Sequence, residues 1–251
     1  MPDERRQYVR FAFYKLDPAW RRLSAAERDA GRTELNDLLD SWANRILIRT
    51  YSTVGMRGDC DFLIWQVSAD LDDFQRLASE IASSEMGAYL ETPYSYLSMT
   101  KHSTYVTGHL HPEQEGTRLV IAPGNCKYLF VYPFVKTRAW YTLPFAERQL
   151  MMNKHISTGH KYTSVKINTT YSFGLDDQEF VLAFETDEPA EFLDLVQELR
   201  ETEASSYTLR DTPIFTCALT PMPEILVSLR RESRQEALSA PSPSGRGLGR
   251  G

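Results

Sequence analysis

The chain has 251 residues, 42% of them hydrophobic, and a formal net charge of -6. That is enough apolar material for one large core or two modest ones, and an acidic balance without a long Lys/Arg run excludes the basic face that nucleic acid demands. The charged start Met1-Pro2-Asp3-Glu4-Arg5-Arg6-Gln7 has no signal-type apolar region and no apolar run is long enough to span a bilayer, so the reading is a cytoplasmic protein without membrane insertion.

In chain order, Tyr8-Val9-Arg10-Phe11-Ala12-Phe13-Tyr14 is rich in β-branched and aromatic residues and predicts a strand. From Ala25 to Trp42, the apolar Leu35, Leu38, Leu39 and Trp42 fall at helical spacing. Strand-like runs from Ile46 to Thr53 and from Asp61 to Val67 flank the turn-forming Gly55-Met56-Arg57-Gly58-Asp59. A helix from Leu71 to Ser83 carries Phe74, Leu77, Ala78 and Ile81, and a strand covers Tyr94 to Met99. The segment from Lys101 to Cys126 breaks this pattern with Gly108, Pro112, Gly116, Pro123 and Gly124; its length suits a functional lid.

The same order then returns: strand Tyr128 to Phe134, helix Phe145 to His155, strands Val165 to Ser172 and Phe180 to Glu185, helix Ala190 to Thr202, and strand Ile214 to Leu219. Beyond Arg231 the chain loses its apolar anchors and is expected to be disordered. The expected organisation is a first ferredoxin-like repeat over 1–100, an inter-repeat loop over 101–126, a second repeat over 127–230 and a tail over 231–251. Two β-α-β-β-α-β units are expected to hide their bare sheet faces by packing sheet against sheet, an α+β fold.

The repetition is also visible residue by residue, at an offset of about 120. Ala19-Trp20-Arg21-Arg22-Leu23-Ser24-Ala25-Ala26-Glu27-Arg28 returns as Ala139-Trp140-Tyr141-Thr142-Leu143-Pro144-Phe145-Ala146-Glu147-Arg148, and Thr50-Tyr51-Ser52 as Thr170-Tyr171-Ser172. At that offset Leu35 becomes His155, so a core-facing position acquires a side chain able to bind metal or move a proton. A lone histidine without clustered partners excludes an ordinary zinc site, whereas an iron porphyrin needs only one protein ligand. Such a histidine needs an acceptor for its other ring nitrogen, and Glu203 is a candidate, although Glu85 takes the matching place in the first copy. Cys60, Cys126 and Cys217 are odd in number and far apart, which suggests neither disulfides nor a C-x-x-C metal site.

Lys127 to Lys136, the Met151-Met152-x-x-His155 element, Gly174-Leu175-Asp176-Asp177-Gln178-Glu179-Phe180 and Leu199 to Ala204 together resemble the chlorite dismutase-like haem proteins, a superfamily that includes the coproheme decarboxylases. The resemblance covers roughly residues 8 to 225. It implies duplicated ferredoxin-like repeats forming a dimeric α+β barrel-type unit, haem b or iron coproporphyrin III in the second copy, and a homopentamer. It further implies His155 as proximal iron ligand, Glu203 as its hydrogen-bonding carboxylate, and Tyr132 as the tyrosine that removes a hydrogen atom from a propionate. Lys136 matches a basic residue near the porphyrin propionates and Trp140 a tryptophan near the haem edge, while Arg138, His160 and Lys161 are further basic candidates.

Chlorite dismutases place an arginine on the strand after the proximal histidine; here that place falls at Ile167, next to Asn168, so chlorite cleavage is disfavoured. A distal base could come from His109, His111 or Glu115 of the inter-repeat segment. The leading expectation is a coproheme decarboxylase using hydrogen peroxide and a porphyrin substrate. Alternatives are a haem-dependent peroxidase or chlorite dismutase-like enzyme, a non-catalytic haem carrier or sensor, and a structural module without cofactor.

Overall fold

The computed structural model describes residues 5–106 and 119–229. The first repeat comprises β1 (Tyr8–Leu16), α1 (Ala25–Trp42), β2 (Leu47–Ser52), β3 (Phe62–Ser68), α2 (Asp72–Ser83) and β4 (Leu90–Met99). The second comprises β5 (Tyr128–Lys136), a short α3 (Arg138–Thr142), α4 (Phe145–Gly159), β6 (Lys166–Tyr171), β7 (Phe180–Thr186), α5 (Pro189–Arg200), β8 (Thr208–Arg210), β9 (Phe215–Leu219) and α6 (Met222–Ser228). The expected tail over 231–251 lies outside the described residues, as do His109, His111 and Glu115.

α1 begins at a reciprocal cap: Ser24 Oγ accepts the Glu27 N–H at 3.2 Å, and the Glu27 carboxylate accepts the Ser24 N–H at 2.7 Å. α4 begins 120 residues later, after Pro144, whose fixed φ of -53° suits a helix entry without a side-chain cap. The two helix starts thus confirm Leu35 and His155 as equivalent positions.

The strand order β7-β6-β4-β1-β3-β2-β9-β5-β8, with a further β7–β5 pairing, closes every strand except β8 into one antiparallel ring. Each repeat supplies a four-strand arc with the ferredoxin-like order. The arcs are joined at two narrow seams, β2 to β9 through Tyr51↔Leu219 and Ser52↔Ala218, and β4 to β6 through Met99↔Tyr171. Side chains reinforce both: Thr50 Oγ1 donates to the Thr220 carbonyl at 2.7 Å, and Asp176 Oδ2 accepts the Leu97 N–H at 2.7 Å. The bare faces therefore meet inside one closed barrel, as the expected barrel-type unit of two ferredoxin-like repeats requires, and closure also removes the unpaired strand edges.

Alternation along each strand sends one set of residues inward and the other outward. Val9, Phe11, Phe13, Leu63, Trp65, Leu129, Val131, Val181 and Phe215 fill the barrel, with Phe13 and Phe215 stacked 3.9 Å apart. Outside, α1, α2 and α6 cover the first arc and α4 and α5 the second.

β4 starts four residues earlier than the sequence suggests, because exposed Glu91, Thr92 and Pro93 mask its first half. The Thr-Tyr-Ser match is offset from the strand register by one residue. Thr53 N–H donates to the Asp61 carbonyl and Ser172 N–H to the Glu179 carbonyl, so buried Tyr51 is equivalent to buried Thr170 rather than to Tyr171. Cys60 and Cys217 are buried, Cys126 is half-buried, and all three are free thiols.

Candidate functional site

α4 lies on the outer face of the second arc with Met151, His155 and Thr158 on the side turned to the protein. The His155 Nδ1 is buried and has no hydrogen-bond partner among the described residues. Burial first, and then the positive charge of Lys136, hold its pKa down at about 4. The ring is therefore neutral at ordinary pH, the form a metal ligand requires.

Lys136, at the end of β5, is buried, and its ammonium donates to the Ala204 carbonyl at 2.7 Å and sits 4.2 Å from the Trp140 ring centroid. Burial lowers its pKa to about 8, against the opposing pull of Glu179. Trp140 is itself buried and meets Tyr207 and Tyr105 at ring-centroid distances of 5.5 and 6.3 Å. Lys136, Trp140 and His155 thus belong to one neighbourhood.

Tyr132 points outward from the middle of β5 into the apolar cluster of Phe130, Phe184 and Phe192, stacked on Phe184 at 5.7 Å. Burial raises its pKa well above that of a free phenol, so it stays protonated. Ile167 faces the same layer from β6, and a Cβ on Gly159 would meet its Cδ1 at 3.9 Å. The end of α4 and the Ile167 strand therefore enclose the same helix–sheet space.

Glu203 opens the 3-10 turn after α5, a turn that packs against α4, but its side chain is exposed and makes no bond to His155. Glu85, its counterpart, is exposed in the same way. Of the other basic candidates, Arg138 is 91% exposed and Lys161 pairs with Glu198 on α5. His160 lines a cleft of about 40 Å³ with Tyr105, Val106, Asn153, Ile156 and Ser157. That cleft lies on the face of α4 opposite His155 and holds a few waters at most.

The described foot of the inter-repeat segment is fastened to α4. Arg148 donates to the Tyr105 hydroxyl at 3.1 Å, Gln149 to the Tyr105 carbonyl at 3.0 Å, and the Tyr105 ring stacks on Phe145 at 5.8 Å. A feature that spacing did not single out is Glu179, whose Oε2 accepts both the Lys136 backbone N–H at 2.8 Å and the Tyr141 hydroxyl at 2.5 Å. Its signal was present in the Gly174 to Phe180 motif and in Asp61, which holds the matching strand end.

The chain is similar to known proteins of one family. A family profile described as chlorite dismutase matches residues 28–220. The coproheme decarboxylase of Mycolicibacterium smegmatis is 33% identical over 167 residues, 66% of this chain and 70% of that protein. The crystal structure of a mutant chlorite dismutase from Candidatus Nitrospira defluvii superposes with a TM-score of 0.81 at 26% identity, covering 88% of this chain and 94% of that one. A heme-binding protein from Thermus thermophilus gives a TM-score of 0.78 at 27% identity, again covering 88% and 94%.

Proposed function

This chain belongs to the chlorite dismutase family, and on that premise we propose that it is a coproheme decarboxylase, converting iron coproporphyrin III to protohaem (haem b) with hydrogen peroxide. The observation that carries the reading is the buried, partnerless Nδ1 of His155, neutral and set in a helix–sheet layer where the first repeat has leucine. A neutral imidazole offered from a helix, next to one buried cation and no cluster of further ligands among the described residues, fits an iron porphyrin and not a bare metal ion. When bound, the iron porphyrin supplies oxidising chemistry driven by peroxide.

The chain's own residues have separable parts in this proposal. His155 holds the iron, and Glu203, the carboxylate of the turn packed against α4, is the acceptor proposed for Nδ1 in the loaded protein. Lys136 supplies positive charge for propionates, which cannot be buried without a cation or several donors. Trp140 walls the porphyrin edge and holds the Lys136 ammonium over its ring. Tyr132, kept as a neutral phenol by burial, retains the hydrogen atom that it would give up to the peroxide-driven oxidant before taking one from a propionate β-carbon; the propionate would then pass one further electron to that oxidant as it loses carbon dioxide and leaves a vinyl group. Ile167 offers no charge for an anionic oxidant, which argues against chlorite as substrate. The homopentamer and the cytoplasmic location are carried in the proposal as well; no described helix is long and apolar enough to cross a membrane.

The test is anaerobic reconstitution with iron coproporphyrin III, then peroxide titration with mass detection of the porphyrin. Stepwise loss of two carboxyl groups is expected. Tight binding without mass loss would replace this reading with a haem carrier, sensor or peroxidase.

A further inference from the structure

The two repeats share a device at the end of their first strand. In the first, Asp61 Oδ2 accepts the Leu16 N–H at 2.8 Å, and its other oxygen takes the Lys15 ammonium at 2.9 Å. The Asp61 N–H returns to the Tyr14 carbonyl at 2.8 Å. In the second, Glu179 Oε2 accepts the Lys136 N–H at 2.8 Å and the Glu179 N–H returns to the Phe134 carbonyl at 3.2 Å. The task common to both carboxylates is structural: they close the end of the first strand against the third.

Glu179 does something more. Its side chain is one methylene longer than that of Asp61, and the same Oε2 also accepts the Tyr141 hydroxyl at 2.5 Å, while the Arg138 guanidinium stands 3.7 Å from Oε1. Both partners lie on α3, the short helix that carries Trp140. The first repeat has no such link, since Arg21 takes the place of Tyr141 and is exposed. The Tyr141 pKa is raised, by burial and then by this bond, so the hydroxyl remains a donor. One carboxylate thus ties the strand end that bears Lys136 to the helix that bears Trp140, the ring over which the Lys136 ammonium rests.

We propose that Glu179, acting through Tyr141, is a positioning residue for the porphyrin site: it fixes Lys136 and Trp140 relative to each other and so sets the charge and the wall that meet the propionate side of the ligand. The inference rests on the iron-porphyrin reading above. Glu179 touches no ligand in this scheme. Its effect passes through a second link, the α3 connection, that Asp61 does not make.

The test titrates iron coproporphyrin III into the full chain, into Glu179→Asp, Tyr141→Phe and the double variant, and into Asp61→Glu as the mirror control. Affinity and the Soret band are read, with melting temperature of the porphyrin-free proteins alongside. Loss of a charge-assisted hydrogen bond that organises the site is expected to weaken binding about tenfold in each single variant. Both singles are expected to shift the Soret band in the same sense, and the double variant to bind no more weakly than either, because the two residues act as one unit. Melting temperatures are expected to stay near the wild type, since an aspartate already secures the equivalent strand end in the first repeat, and Asp61→Glu is expected to bind normally.

Native affinity in both singles, or a double variant whose loss is the product of the two, overturns the proposal. Should Glu179→Asp fail to fold, Tyr141→Phe, which removes a single hydroxyl from a half-buried residue, decides by itself. A wild type that takes up no iron porphyrin overturns the haem-site reading and this inference together; normal uptake by wild type and Tyr141→Phe alike overturns this inference alone.

Discussion

The outer layer of the first repeat is one continuous apolar cluster, running from Ala12 and Leu16 through Leu35, Leu39 and Met86 to Met222, Ile225 and Leu226 of α6. The matching layer of the second repeat falls into two clusters, one around Tyr132, Phe184 and Phe192, the other around Trp140, Met151 and Ala204. A handful of exchanges accompany the difference. Ala12 is replaced by Tyr132, Leu16 by Lys136, Leu35 by His155, Leu39 by Gly159 and Met86 by Ala204. Gly31 lets α1 approach so closely that a Cβ there would stand 2.7 Å from the Trp20 ring; its counterpart Met151 instead packs its long side chain in the cluster of Trp140. α6, the last described helix, folds back onto the first repeat and plugs it. Two duplicated units thus keep the same strands while the outer layer of one is a single apolar cluster capped by α6 and that of the other is split in two.

The most severe way to break the asymmetry is to restore the first repeat's residue. His155→Leu is expected to reduce iron-porphyrin affinity on the order of 1000-fold, since it removes the proposed iron ligand while keeping the volume apolar. Absorbance titration measures it, and near-native affinity would remove His155 from the role of ligand. The reciprocal change, Leu35→His, puts an imidazole into a filled core without a partner. It is expected to destabilise the protein by about 3 kcal/mol in urea unfolding and to create no second porphyrin site. A second equivalent of bound porphyrin would show that the closed layer is not what distinguishes the repeats.

Tyr132 tests the chemistry rather than the space. Tyr132→Phe keeps the stack on Phe184 and removes only the hydroxyl, so porphyrin affinity is expected to hold while kcat for decarboxylation falls roughly 100-fold or more. An equal fall in affinity and turnover would make the hydroxyl a binding group, and an unchanged kcat would remove it from the reaction.

Much of this contrast was legible before any coordinates. Helical and alternating periodicity placed both β-α-β-β-α-β units, and α1 falls over Ala25–Trp42 as its pattern predicts. The exchange of leucine for histidine was visible because the A-W-x-x-L-x-x-A-E-R motif fixes the register on either side of it. α6 was hidden by Pro221 and Pro223, although Met222, Ile225 and Leu226 have the spacing of a buried helical face. Glu179 stands within the Gly174 to Phe180 motif, but its task is not legible there, because its partners are a backbone N–H and a hydroxyl from elements distant in the sequence. The exposed position of Glu203 was equally beyond reach, since residue pattern marks the turn but not the direction of its side chain.

The smallest effect isolates the imbalance in the porphyrin-free protein. His155 has a folded pKa of about 4 against an ordinary 6.5, so between those values the unfolded chain binds the extra proton and the folded chain does not. Its contribution to stability is present above pH 6.5 and is lost as the pH falls toward 4. The difference between wild type and His155→Leu is therefore expected to widen by about 1.5 kcal/mol on going from pH 6.5 to pH 5, in favour of the leucine variant. Urea unfolding of the two proteins across that range measures it, and the comparison cancels every other titrating group. A constant gap would mean that the histidine is solvated in the porphyrin-free protein and that the second repeat's layer is already open to water. A widening gap would mean that the layer stays closed around a neutral ring, poised to ligate before the porphyrin arrives.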